Sequence, residues 1–143
     1  MTPSPARVVL KPKRARPLFA GHPWAFAQSI ARVEGSPEPG DAVEVVSHEG
    51  ATVGRGLYNP SSAIRARLYR WDDGPLDDAF WTERLDAAVR LRRDVLGLDA
   101  RNSAYRLVFS EGDGLSGLTV DRYGPCLVAL FSSLALHKRR DVI

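Results

Sequence analysis

The chain has 143 residues, of which 44% are hydrophobic and 26% charged, with a formal net charge of +3. That length holds one ordinary domain or two small ones, and the composition is that of a folded globular protein, which excludes a disordered or fibrous chain. No apolar run approaches the ~20 residues of a membrane span. The N-terminal segment lacks the apolar core of a signal peptide, and the single Cys126 excludes an internal disulfide framework and fits a reducing cytoplasm.

In chain order, residues 7–10 (RVVL) read as a short strand. Residues 11–16 are basic and bounded by Pro12 and Pro17, which predicts a loop or a single helical turn. Gly21-His22-Pro23-Trp24 is a turn into an extended segment over residues 25–33. Residues 34–41 (EGSPEPGD) form a loop by their Pro and Gly content. Residues 42–47 alternate, with Val43 and Val45 on one face, and a tight turn at His48-Glu49-Gly50 leads to a partner strand over 52–58. Gly54 and Gly56 in that strand suggest a bulge or a close backbone approach. Residues 64–71 alternate again, Ile64, Ala66 and Leu68 against Arg65, Arg67 and Arg70. Short strands at this spacing predict a small barrel.

The pattern changes at Asp72-Asp73-Gly74-Pro75. Asp77 or Asp78 caps a helix predicted to run to about Leu96, with Trp81, Leu85, Ala88, Leu91, Val95 and Leu96 as its apolar face, and Gly97 ends it. Residues 105–109, 118–123 and 126–131 read as three antiparallel strands. Such a sheet is expected to leave an exposed edge or apolar face. Residues 134–143 open like a helix without a C-terminal signal, as in a chain cut within an element.

Between the first two of these strands lies a literal G-x-G-x-x-G at Gly112, Gly114 and Gly117. A dinucleotide fingerprint needs a helix directly after its glycines, so that pyrophosphate sits on the helix N-terminus. Here Leu118-Thr-Val-Asp-Arg-Tyr123 follows, a strand, and the glycines read as a turn. Glu111 and Asp113 are then turn carboxylates that bond nearby groups. His22, His48 and His137 have no ligand spacing with each other or with Cys126, so no metal is expected. No P-loop or nucleophile elbow is present. Cys126 reads as an inert core thiol, with no cationic partner near in sequence.

The charge is unevenly distributed. Residues 1–71 carry ten Lys/Arg against five Asp/Glu, a net +5; residues 72–143 carry ten against twelve, a net −2. Lys11, Lys13, Arg14 and Arg16 suit phosphate neutralisation. Arg65 and Arg67 extend the patch from a barrel strand. Trp24, Phe26, Tyr58 and Tyr69 are candidate stacking faces. Aromatics in a small barrel more often fill the core, and Phe26 with at least one tyrosine is expected there. Trp24 is either a core plug or an exposed stacker. A merely solvated basic face is the other reading of the same charges.

The motifs VLKP (9–12), GHPWAF (21–26), PGD (39–41), GRGLYNP (54–60), IRAR (64–67), YRLV (105–108), EGDGL (111–115), GL (117–118) and VDRYG (120–124) follow one another in an order that resembles the SAM-dependent large-subunit ribosomal RNA methyltransferases acting on cytosine carbon 5. Ser116 stands where that family's pattern usually has proline, and Pro125-Cys126 replaces a polar and an apolar residue.

The resemblance implies an α+β, mostly β fold. A PUA-like pseudo-barrel (residues 1–73) that binds RNA precedes a helix and a small antiparallel sheet, the connecting domain (residues 74–143). It implies ribosomal RNA as partner, for which the basic and aromatic pattern offers Lys11, Lys13, Arg14, Arg16, His22, Trp24, Arg65 and Arg67 as candidate contacts. It also implies S-adenosylmethionine for the full-length family. The SAM loop, the acidic ribose contact and the catalytic cysteine belong to a methyltransferase domain that would follow residue 143. None maps onto these residues, Cys126 included, so no catalytic or cofactor-binding residue is expected here. A stand-alone PUA-type RNA-binding module without catalytic activity is the alternative. No membrane or metal is expected as a partner.

Overall fold

The computed structural model describes residues 5–143, which divide into two compact units, the first ending at Leu76 and the second running Asp77–Ile143. The fold is mostly β, with four short to medium helices.

The first unit is built on six strands: β1 (Arg7–Leu10), β2 (Trp24–Phe26), β3 (Ile30–Glu34), β4 (Ala42–Val46), β5 (Thr52–Tyr58) and β6 (Ile64–Arg70). They form one curled sheet in the order β2-β6-β5-β4-β1-β3. All pairs are antiparallel except β1 with β4. Because a strand's side chains alternate between faces, Val8, Leu10, Ala25, Val43, Val45, Val53, Tyr58, Ala66 and Leu68 converge on the inside as a core, closed by Leu18 from the four-residue helix α1 (Arg16–Phe19). Directly paired residues share a face, so Trp24, Arg67 and Leu57 line up on the opposite face, where Leu57 is buried and Trp24 and Arg67 are half-buried.

The extended segment predicted over 25–33 is interrupted. β2 leaves β6 after Phe26, a 3-10 turn over Ala27–Ser29 follows, and β3 then pairs with β1 at the far edge. One straight strand cannot serve partners at both edges of a six-stranded sheet. Gly56 permits a close approach of β5 to β6, since a Cβ there would lie 2.3 Å from the Arg67 carbonyl oxygen.

The second unit begins with helix α2 (Asp78–Arg90). Asp77 is its cap, its Oδ1 accepting from the Phe80 amide at 3.0 Å. Phe80, Trp81 and Ala88 are buried. The predicted helix to Leu96 changes character at Leu91, where a π-helical turn runs to Val95 and the Leu96 amide bonds the Leu91 carbonyl five residues back. That spacing rotates side chains off the apolar face, and Leu91, Val95 and Leu96 are 40%, 74% and 44% exposed. Gly97 then turns the chain in a left-handed conformation into α3 (Leu98–Arg101), which the sequence pattern did not suggest.

Strands β7 (Ala104–Phe109), β8 (Leu118–Tyr123) and β9 (Cys126–Phe131) form the antiparallel sheet in that order, and α4 (Leu134–His137) follows. Val108, Leu118 and Val120 are buried on one face. β9 is an edge strand, and Cys126 on it is exposed, not a core thiol. An apolar strand is a core strand only when something covers it.

Candidate nucleic-acid interface

The basic segment between β1 and α1 is built on a turn. The Arg14 amide donates to the Lys11 carbonyl at 3.1 Å, and Lys13 sits at φ +64°. Proline second and a positive φ third is the pattern of a type II turn, in which the third position normally takes glycine. A lysine there costs about 1–2 kcal/mol of backbone strain. Lys11, Lys13, Arg14 and Arg16 are all exposed, and none makes an ion pair or side-chain hydrogen bond among the described residues. Three other cations of the unit are paired: Arg7 with Glu44 at 2.7 Å, Arg32 with Glu34 at 2.7 Å, Arg70 with Asp72 at 2.6 Å. Four exposed, uncompensated positive charges on six consecutive residues offer a concentrated positive field to an anion.

Helix α1 carries the chain from that turn to the second part of the site. Its first turn begins at Arg16-Pro17, where proline's fixed φ suits a helix start. The His22 amide donates to the Pro17 carbonyl at 3.0 Å, and Trp71 Nε1 donates to the Leu18 carbonyl at 2.7 Å. The basic loop is anchored at its other end by the Lys11 amide on the Ser29 carbonyl, 2.8 Å.

His22 then turns back on itself, its Nδ1 accepting from the Trp24 amide at 3.2 Å. With Nδ1 used as an acceptor, Nε2 is the ring nitrogen left to donate. The His22 and Trp24 rings meet edge to face, centroids 5.8 Å apart, and Trp24 meets Phe26 in the same way at 6.1 Å. Arg67, directly across from Trp24 in the β2–β6 register, places its guanidinium carbon 5.7 Å from the indole centroid. Arg65 lies two residues earlier on β6 and shares that face.

The structure therefore sorts the predicted residues into two groups joined through α1. Lys11, Lys13, Arg14 and Arg16 form a charged loop. His22, Trp24, Arg65 and Arg67 gather at the β2–β6 edge of the sheet. Trp24 is neither core plug nor free platform but half-buried among other rings. Phe26, expected in the core, is half-buried in this ring cluster, because Ala25, not Phe26, points inward. Tyr58 and Tyr69 are buried, as expected of at least one tyrosine.

Arg55 has no assigned role in the sequence. Its Nε is buried with no hydrogen-bond acceptor among the described residues, and its β-partners are Glu44 and Arg70. Only the cross-strand register shows that an arginine sits opposite it.

The glycine turn of the second unit is not a phosphate cradle. Residues 110–113 form a 3-10 turn between β7 and β8. Asp113 accepts from the Phe109 amide at 2.6 Å and pairs with Arg92, Ser116 donates to Glu111 at 2.7 Å, and the Gly117 amide donates to Ser110 Oγ at 2.9 Å. The turn spends its polar groups on itself. Nearby, Arg122 bonds Tyr105 and Asp99, which hold its guanidinium above the ordinary arginine pKa.

Residues 8–71 match the PUA-like domain family. Proteins named ribosomal RNA large subunit methyltransferase I from Erwinia tasmaniensis, Salmonella arizonae and Escherichia coli are 40%, 40% and 41% identical over 139, 143 and 139 residues. Those alignments cover 96%, 99% and 96% of this chain but 35% of each relative, so the chain spans about a third of their length. A solved Streptococcus mutans protein, described as a SAM-dependent methyltransferase, shares the fold with a TM-score of 0.80 at 16% identity, over 96% of this chain and 35% of the other.

Proposed function

We propose that this chain, which belongs with the proteins named ribosomal RNA large subunit methyltransferase I and carries a PUA-like domain over residues 8–71, is the RNA-recognition portion of a ribosomal RNA methyltransferase. Its role is to hold structured ribosomal RNA in the cytoplasm while a methyltransferase domain, present in the longer protein, acts on cytosine carbon 5. The observation that carries this reading is the loop of four exposed cations, Lys11, Lys13, Arg14 and Arg16, left uncompensated beside neighbours whose arginines are paired.

The chemistry divides between the two parts. Carbon-5 transfer would need a cysteine thiolate to add at carbon 6, so that carbon 5 can take the methyl group of S-adenosylmethionine with S-adenosylhomocysteine as the leaving group, and a base to remove the carbon-5 proton as the thiolate is expelled from carbon 6. That cofactor and its cysteine are assigned to the longer protein. The residues described here supply binding energy. Lysine and arginine heads neutralise phosphates and release counterions, so affinity falls linearly on a log–log plot against salt.

The test is a salt titration of the chain against transcribed large-subunit ribosomal RNA. A steep slope, reduced by about one to two units when Lys13 and Arg14 are both changed to Ala, is expected. A shallow slope, or a double variant that binds as tightly as the wild type, would overturn the assignment.

A further inference from the structure

We infer that Arg55, with Arg7 beside it, is a second phosphate-binding position of the first unit, set on the sheet and separate from the basic loop, and that the phosphate it takes belongs to the RNA backbone. This rests on the RNA-binding reading above and adds to it a second point of attachment.

The strand register builds the position. Glu44 on β4 pairs directly with Arg7 on β1 and with Arg55 on β5, so the three side chains share one face of the sheet. Arg55 stands in turn opposite Arg70 on β6. Glu44 has both oxygens engaged: Oε2 accepts from Arg7 Nε at 2.7 Å, and Oε1 from the Thr52 hydroxyl at 2.8 Å. Arg70 is held by Asp72 and by the Pro75 carbonyl. Neither neighbour serves Arg55, whose guanidinium makes no hydrogen bond or ion pair among the described residues. Arg7, Arg55 and Arg70 face only Glu44 and Asp72 in ion pairs, and the charge left over is that of Arg55.

A buried donor without an acceptor is costly, and in folded proteins it marks a strained site or a place where water or an ion belongs. Arg55 Nε is such a donor. The residue as a whole is half-buried, so an anion can still reach the guanidinium. Arg7 bonds through Nε alone and its side chain is 51% exposed, which leaves its terminal nitrogens for a further acceptor. The two arginines start two strand spacings apart, about 9.5 Å, close enough for both forks to meet one phosphate above Glu44. Phosphate suits them because it offers charged oxygens to two planar forks at once. The loop of residues 11–16 carries its cations on an exposed turn, whereas Arg55 is fixed within a strand. Phosphate contacts set the register and orientation of a nucleic acid, and a contact from the sheet fixes that orientation where the loop alone supplies attraction.

The experiment uses the 143-residue chain and two probes. The first is transcribed large-subunit ribosomal RNA, titrated with salt. Arg55→Met keeps the stem and removes the charge; it should lower the salt slope by about 0.7–0.9, the share of one phosphate. Arg55→Lys should retain the slope. In the Lys13→Ala, Arg14→Ala background the loss from Arg55→Met should add to that of the loop, since the two sites share no partner. The second probe is inorganic phosphate, compared with chloride at equal ionic strength in that same background. Phosphate should raise the melting temperature, as a ligand of the folded state does, and Arg55→Met should abolish the rise. In chloride Arg55→Met should melt no lower than its parent, because no bond is lost. An unchanged salt slope in Arg55→Met would overturn the assignment to RNA; a phosphate effect that survives Arg55→Met would overturn the site itself, as would a large loss of stability in chloride. Wild-type failure to bind the RNA would overturn the RNA-binding reading instead, and the phosphate arm would then decide the site alone.

Discussion

Arg92 donates to Asp113 at 2.5 Å, and the two side chains are only 12% and 6% exposed. The same carboxylate accepts from the Phe109 amide at 2.6 Å, so one aspartate ties the π-helical turn after α2 to the glycine turn between β7 and β8. Removing one member of a desolvated pair strands the other charge. Asp113→Ala is therefore expected to destabilise the chain by about 3 kcal/mol, with the orphaned Phe109 amide included. Asp113→Asn keeps an acceptor and should cost less. Urea denaturation of both variants decides the matter, and equal cost for Asn and Ala would mean that charge alone matters.

Gly117 is held at φ +94°, and a Cβ there would lie 2.4 Å from Ser133 Cβ. The substitution meets two penalties at once, a left-handed backbone and a collision with a neighbouring segment. Gly117→Ala should lose about 2–4 kcal/mol. A thermal shift of less than a few degrees would show that Ser133 moves aside freely.

These two turns show what the sequence made legible. A glycine cluster followed by an alternating strand could be read as a turn because turn chemistry is local. Val43 and Val45 could be placed in the core because one face of β4 is covered. The π-helical turn could not be foreseen, since Leu91 and Val95 continue the apolar spacing of α2 and mimic a longer helix. Cys126 was misplaced because an apolar strand looks alike at an edge and in a core. In the candidate site the cations were visible, but not which of them are compensated. Arg7 finds Glu44 at a separation of 37 residues, through the parallel pairing of β1 with β4.

Lys13 separates stability from affinity. Its φ of +64° favours glycine. Lys13→Gly removes about 1–2 kcal/mol of strain and adds back about 0.5–1 kcal/mol of unfolded-chain entropy. The variant should melt at or slightly above the wild-type temperature while binding RNA more weakly. A variant both less stable and weaker would mean that the Lys13 side chain braces the turn.

Arg106 and Asp121 face each other across β7 and β8 at 2.8 Å. The hydrogen bond from Arg106 holds the Asp121 carboxyl below its ordinary pKa. A carboxylate depressed in the folded state stabilises above its unfolded pKa of about 3.9, and the contribution fades as pH falls through the folded value. Asp121→Asn should therefore be less stable than the wild type at neutral pH. The gap should close as both proteins are taken below about pH 3. A gap that persists in acid would assign the effect to packing rather than charge.

β9 predicts self-association. Residues 126–131 read CLVALF, without charge or proline, and Leu127, Val128 and Leu130 are 61%, 55% and 65% exposed. Val128 and Leu130 pair with Asp121 and Thr119, on the sheet face that also shows Tyr123 and, across β8, Phe109. An uncharged, exposed edge strand is a template for another strand, and natural edges normally carry a lysine, a proline or a bulge against this. The isolated 143-residue chain should associate with itself as its concentration rises. Val128→Lys or Leu130→Lys should keep it monomeric with little change in melting temperature, since both side chains already face solvent. Sedimentation velocity over a hundredfold concentration range, about the span that separates monomer from a micromolar dimer, is the measurement. A wild-type chain that stays monomeric throughout would show that twist or side-chain crowding already protects this edge.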